Sequence, residues 1–332
     1  MSKIVMIVVA AGLMTLAAWS VVAQENATPT PAPTKTATLP AAETPVAVTT
    51  TTTSGDFEPL TQADLSVLTA NVQRPNGIAW FNDTLYTACT GDGTVYEINS
   101  RTGQTRTYIF GVRNAQTLYA EEDESQNLTL WVPDYANNTV ARVTRQGVEP
   151  VVTGLQGPWG ISYVDESQFL VTNLLSNTLN LINREGDNQV VLEDLANPMG
   201  IVHDDETVYV ANYGSTRRSI EAYSLASVIS GTPTPENGTS PVLVSGLQNT
   251  TGLQLGSDGK LYFAYALGNR GLVGRVDPAV CAANGGCTND QVEIVLYSDL
   301  AVPLSGLTIT PDMRMFVHTM FVPDIYWAQI EG

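Results

Sequence analysis

From Asp56 onward the apolar residues fall in short runs separated by clusters of Gly, Asn, Asp and Ser, and helical spacing is absent. This is the pattern of strands and tight turns. One segment recurs: Arg74-Pro75-Asn76-Gly77-Ile78-Ala79-Trp80 returns as Gly157-Pro158-Trp159-Gly160-Ile161-Ser162-Tyr163 and as Asn197-Pro198-Met199-Gly200-Ile201-Val202-His203. Looser copies stand at Thr251-Gly252-Leu253 and Ser305-Gly306-Leu307, and a degenerate one at Asn114 to Tyr119. Where no insertion intervenes the copies are spaced by about forty residues, the period of a four-stranded propeller blade. Six copies predict an all-β, six-bladed β-propeller over residues 56–332.

Each copy leads into a second and a third strand, such as Leu85-Tyr86-Thr87-Ala88 and then Val95-Tyr96-Glu97-Ile98. The chain ends on a third strand, Ile325-Tyr326-Trp327, with no fourth after it, while Ser66-Val67-Leu68-Thr69 precedes the first repeat without a blade of its own. Pairing the two closes the ring and removes an exposed edge, so an N-terminal strand is expected to complete the last blade. Insertions near Gly231-Thr232-Pro233-Thr234-Pro235 and around the last two cysteines lengthen the fourth and fifth blades.

Met1-Ser2-Lys3 and the uncharged apolar run from Ile4 to Ala23 read as a signal peptide, 1–23, or as an uncleaved N-terminal anchor. Residues 24–55, rich in Thr and Pro, cannot bury apolar surface and read as a disordered linker. The expected location is secreted or extracytoplasmic, with the membrane met only through an uncleaved N-terminal segment. Acidic side chains outnumber basic ones 33 to 15, which argues against nucleic acid as a partner. Of three cysteines, Cys281 and Cys287 flank Ala-Ala-Asn-Gly-Gly, a turn-forming segment that lets the thiols meet in an oxidising compartment, so a local disulfide is expected. Cys89 is left as a small buried apolar residue.

The first blade, with Pro75-Asn76-Gly77-Ile78-Ala79, Asp83-Thr84-Leu85-Tyr86 and Gly93-Thr94-Val95-Tyr96-Glu97-Ile98, resembles blades of the senescence marker protein 30/gluconolactonase-like propellers and of NHL-repeat proteins. Residues 66–332 fit that pattern. In the lactonase branch a divalent cation sits in the central channel, held by a glutamate, asparagines and an aspartate, one asparagine belonging to a Pro-Asn-Gly segment. The resemblance gives Asn76 that place, while the Glu-Gly-Pro glutamate is absent here.

Independently of the resemblance, the residue following each second strand is expected near the inner rim, which gives Cys89, Asp134, Asn173, Asn212, Tyr265 and Thr319. Asp134, Asn173 and Asn212, with Asn76, supply oxygen donors of the kind Ca²⁺ or Mg²⁺ accepts; Asx residues that satisfy turn backbone explain the same positions. Trp159, Tyr265, His318 and Thr319 are candidates for a ligand-binding face. The aromatics Trp80, Tyr119, Tyr163, Trp131 and Trp327 read first as packing between blades. No Gly-x-Ser-x-Gly elbow, phosphate-cradling loop or His-Glu-x-x-His helix occurs, and two histidines exclude a site built from three.

Two function classes follow. One is an extracytoplasmic platform that binds a protein, glycan or small molecule. The other is a Ca-dependent lactonase or esterase, with the metal polarising the carbonyl and Asp134, the only carboxylate of the rim set, as base.

Overall fold

The computed structural model describes residues 57–236 and 240–331. The N-terminal segment and the linker expected from the sequence lie outside the described residues. Six antiparallel sheets of four strands follow one another as blades. The first is Pro75–Phe81, Thr84–Cys89, Thr94–Asn99 and Thr105–Phe110; the second is Tyr119–Glu122, Leu128–Asp134, Thr139–Thr144 and Gly147–Val152. The third comprises Pro158–Tyr163, Gln168–Asn173, Thr178–Asn183 and Asn188–Leu192, and the fourth Pro198–His203, Thr207–Asn212, Ser219–Ser224 and Val242–Ser245. Leu253–Leu255, Leu261–Leu267, Arg270–Val276 and Glu293–Ala301 form the fifth. The sixth takes Leu304–Ile309, Arg314–Thr319 and Ile325–Gln329 from the end of the chain and Ser66–Thr69 from its beginning, with Ser66 opposite Trp327 and Thr69 opposite Ile325.

Alternating side chains on the two faces of each blade pack against its neighbours, so the core is divided into six apolar clusters, one at each junction between blades. Tyr86, Val95, Leu130 and Val132 fill the junction of the first and second blades; Leu85, Ile98, Phe316 and Ile325 fill that of the sixth and first.

The disulfide-bearing insertion lies at the outer edge of the fourth blade. Pro278–Ala283 forms a short helix whose N-terminus is capped by Asp277, and the disulfide Cys281–Cys287 ties it to Cys287–Thr288, which adds a parallel strand to the edge of the fourth blade. Leu60–Thr61 does the same for the edge of the fifth. In each case a 3₁₀ turn with a capping box, Thr61/Asp64 or Thr288/Gln291, carries the chain on into the outer strand of the next blade.

Candidate functional site

The innermost strands share a kink. In the first, third, fourth and sixth blades the register slips at the residue before or at the repeat glycine: Asn76-Gly77, Trp159-Gly160, Met199-Gly200 and Ser305. A bulge of this kind bends a strand and re-aims its side chains. It also brings neighbouring backbones close; a Cβ on Gly77 would stand 2.5 Å from the Cα of Thr117. The second blade has Thr117 in place of this glycine, and its named inner strand starts only at Tyr119.

Polar groups around this ring bind blade to blade. Asn76 Nδ2 donates to the carbonyl of Ala115 (2.9 Å), Thr117 Oγ1 to that of Trp159 (2.7 Å) and Thr172 Oγ1 to that of Met199 (2.8 Å). Thr251 Oγ1 donates to the carbonyl of Leu304 (2.6 Å) and Ser305 Oγ to that of Pro75 (3.4 Å). Five of the six junctions thus carry a side-chain bond running from one blade to the next. These bonds fasten the ring.

From that ring toward the hairpins between first and second strands, the inner strands line a cavity of about 660 Å³. All six blades contribute. Trp80, Phe81, Tyr119 and Tyr163 are half-buried in its wall, and no carboxylate, ammonium or guanidinium group lines it. Tyr119 and Tyr163 stack with ring centres 5.3 Å apart, and burial pushes the Tyr119 hydroxyl up to about 12. The His203 ring is held between two carbonyls, those of Asp204 (2.7 Å) and Tyr163.

The rim residues expected from the sequence sit at the opposite end of the inner strands. Asn173 pairs with Pro158, Asn212 with Pro198 and Thr319 with Leu304, each opposite the start of a first strand. Asn173 Oδ1 accepts from the backbone of Gln156 (3.1 Å) and Asn212 Oδ1 from that of Ala196 (2.8 Å), so both amides serve the link that leads into their blade. Asp134 caps its own turn, taking the backbone and side-chain amides of Asn137 at 3.0 and 2.8 Å. Thr319 Oγ1 accepts from the backbone of Phe321. Tyr265 lies in the apolar junction of the fourth and fifth blades, two residues short of its strand's end, and desolvation pushes its hydroxyl up to about 12. Cys89 is buried, and desolvation likewise raises its thiol to about 12.

His318 has no exposed surface, and burial draws its pKa down to about 4. Its Nδ1 stands 3.1 Å from Ser305 Oγ, its ring covers Gly306, and its buried Nε2 has no partner among the described residues. Trp159 alone of the face candidates is partly open; it lines the cavity and meets Tyr135 edge-on at 5.8 Å.

As arranged, this donor set does not fit a hard divalent cation. Such an ion wants converging carboxylate and carbonyl oxygens. Here the two rim asparagine oxygens are taken by backbone amides, the Asp134 carboxylate by its own turn, and Asn76 turns its amide nitrogen to the second blade. Among the described residues no group of three acidic, histidine or cysteine side chains is placed to hold a metal.

Sequence reasoning set the wall aromatics aside as packing. The signal was present, since Trp80 and Tyr163 close their copies of the repeat, but the periodicity of an inner strand does not say which of its residues also border the channel.

No family model matches the chain, and no curated protein matches it significantly. Solved structures do. A gluconolactonase from Xanthomonas campestris superposes with a TM-score of 0.61 at 15% identity, covering 80% of this chain and 89% of that one. Regucalcin from Agrobacterium tumefaciens, described as a calcium-binding protein, gives 0.58 at 15% identity over 82% and 95%. Virginiamycin B lyase from Staphylococcus aureus gives 0.51 at 14% identity over 79% and 98%. The chain has the propeller fold of the gluconolactonase and regucalcin structures; identities this low carry the fold alone.

Proposed function

We propose that this propeller is an exported binding protein whose channel takes a small, ring-bearing organic molecule. The observation that carries this reading is the cavity wall: aromatic side chains from the first three blades, a mixture of aliphatic and uncharged polar residues with His203 from the others, and no carboxylate, ammonium or guanidinium group. A cleft of several hundred Å³ that combines aromatic and aliphatic walls with polar groups to fix orientation is a common form of small-molecule site. General acid–base chemistry needs a titratable group within reach of the substrate, and the only imidazole in the wall is held by two carbonyls. The disulfide is compatible with an oxidising, extracytoplasmic compartment. Among the described residues no helix is long and apolar enough to cross a membrane.

The test is a thermal-shift and calorimetric screen of small aromatic and sugar ligands on residues 57–332, with Trp80→Ala and Phe81→Ala beside the parent. The reading expects hits weakened by these variants; hits indifferent to both would move the site elsewhere.

The calcium-dependent lactonase or esterase remains the second reading, favoured by the shared fold with a gluconolactonase and with regucalcin. To hold Ca²⁺ or Mg²⁺, Asp134, Asn173 and Asn212 would each have to leave or share present partners, while Asn76, engaged through its amide nitrogen, would offer its oxygen. Calcium calorimetry with an Asp134→Ala control decides it: stoichiometric binding lost in the variant would restore the hydrolase, and its absence in a folded sample would remove it.

A further inference from the structure

Of the five side-chain bonds that join blade to blade around the innermost ring, four measure 2.6–2.9 Å and the fifth, from Ser305 Oγ to the carbonyl of Pro75, 3.4 Å. At that length a hydroxyl is held weakly. Ser305 is half-buried and lines the channel at the junction of the sixth and first blades. Behind it, on the paired strand Arg314–Thr319, stands His318, with Nδ1 3.1 Å from Ser305 Oγ. The imidazole reaches across the innermost strand: its Nε2 is the atom nearest to the place that a Cβ on Gly306 would take, and Gly306 itself lines the channel. Among the described residues five buried polar side-chain atoms have no partner, and two of them, His318 Nε2 and Trp80 Nε1, belong to this one junction. A buried polar atom left unpaired is uncommon and calls for a cause.

We propose that Ser305 and His318 form the polar anchor of the channel ligand, holding a neutral hydroxyl or carbonyl group of a molecule whose ring lies beside Trp80. The inference rests on the reading of the channel as a small-molecule site and narrows its ligand class. A serine hydroxyl donates once and accepts twice, and a neutral imidazole carries one proton on either nitrogen. Which nitrogen carries it is set by the bond the other makes, and with Nε2 unpartnered no bond at that end fixes the choice. Facing a ligand donor, Ser305 accepts from it and donates its own hydrogen bond to Nδ1, the imidazole proton sitting on Nε2. Facing a ligand carbonyl, Nδ1 carries the proton and donates to Ser305, whose hydroxyl is then free to donate to the ligand. A charged group gains nothing comparable. Burial draws the His318 pKa down to about 4 and keeps the ring neutral near pH 7, and no carboxylate, ammonium or guanidinium group lines the wall to offset a charge's lost hydration. So weak a base takes a serine proton poorly, which leaves the pair binding rather than attacking.

The test compares four probes of one shape class, 4-fluorobenzyl alcohol, 4-fluoroacetophenone, 4-fluorotoluene and 4-fluorobenzoate, by fluorine NMR on the full chain. The alcohol and the ketone should bind more tightly than the toluene, and the benzoate least. Ser305→Ala should weaken the alcohol and the ketone by roughly fivefold, the effect of one neutral hydrogen bond, and leave the toluene unchanged. Ser305→Thr keeps the hydroxyl and should keep the preference. In the parent protein, with nitrogen-15 in the histidine rings, the alcohol and the ketone should move the ring-nitrogen signals of His318 and the toluene should not. Alcohol and toluene bound equally, a preference that survives Ser305→Ala, or His318 signals indifferent to the alcohol overturns the proposal. Toluene binding that weakens in Trp80→Ala, found together with any of these, would keep the channel reading and discard the anchor; no binding of any probe discards the anchor, and the ligand screen decides the channel by itself.

Discussion

At the scale of single residues, the ring of the innermost strands is held by side chains that look unremarkable in sequence. Thr172, fully buried, accepts from the backbone of Gly160 and donates to the carbonyl of Met199, so one hydroxyl joins two blades. Thr172→Val keeps the shape and leaves two buried backbone groups without partners, and the unfolding free energy should fall by about 2–4 kcal/mol in urea titrations. An unchanged midpoint would mean that the junction does not depend on this hydroxyl. His318 makes the complementary prediction. A neutral imidazole buried at the seam of the sixth and first blades, with a pKa near 4, binds fewer protons folded than unfolded between about pH 4 and its ordinary value near 6.5. Its contribution is complete above that window and is lost as pH falls through it, by on the order of 3 kcal/mol in all. In His318→Gln the amide still reaches Ser305 but does not titrate. The difference between parent and variant stability should therefore slope between pH 6.5 and 4, and a flat difference would show that the ring is not held neutral by burial.

At the scale of elements, strands and their order were legible because each strand shows its own alternation and each inner strand its own glycine. The degenerate copy at Asn114 to Tyr119 is informative: where Thr117 replaces glycine, the inner strand is interrupted and the hydroxyl binds the next blade instead. What could not be read was the partner of each polar residue. Asn173 and Asn212 satisfy the link into their own blade while Asn76 reaches the following one, and nothing within a forty-residue repeat separates these uses. The disulfide could be read because its cysteines flank a turn; its purpose could not, since the blade edge it covers, Val242–Ser245, lies some forty residues earlier. Closing so short a loop, Cys281–Cys287 should contribute about 2 kcal/mol. The Cys281→Ser/Cys287→Ser variant should lose roughly that in denaturant unfolding while keeping channel ligands, because helix and strand lie on the outer edge. A loss of ligand binding would place the insertion closer to the site than its position allows.

At the scale of the whole molecule, acidity is distributed by the fold. Every first hairpin carries an aspartate, namely Asp83, Asp123, Asp165, Asp204, Asp258 and Asp312, and four of them, Asp123, Asp165, Asp204 and Asp258, accept backbone amides of their own turn. Turn chemistry thus repeats a charge at each blade, and six repeats surround one end of the channel with it. The ring that holds those hairpins together is fastened by the strand Ser66–Thr69, which supplies the outer strand of the sixth blade and touches the first through Thr69 Oγ1 and Thr105 Oγ1 at 3.0 Å. A chain beginning at Asn71 leaves the sixth blade with three strands and an open edge, and also takes Leu60–Thr61 from the edge of the fifth. Loss of the packing of Leu68 and Thr69, together with that of Phe57, Leu60 and Leu65 between the fifth and sixth blades, should lower stability by at least about 2 kcal/mol, and the unpaired edge of Ile325–Gln329 should promote self-association. Unfolding midpoints and sedimentation of residues 57–332 and 71–332, side by side, check both effects. Equal midpoints and two monomers would mean that five complete blades and a partial sixth hold the ring without help, and that the N-terminal strand only decorates an already stable disc.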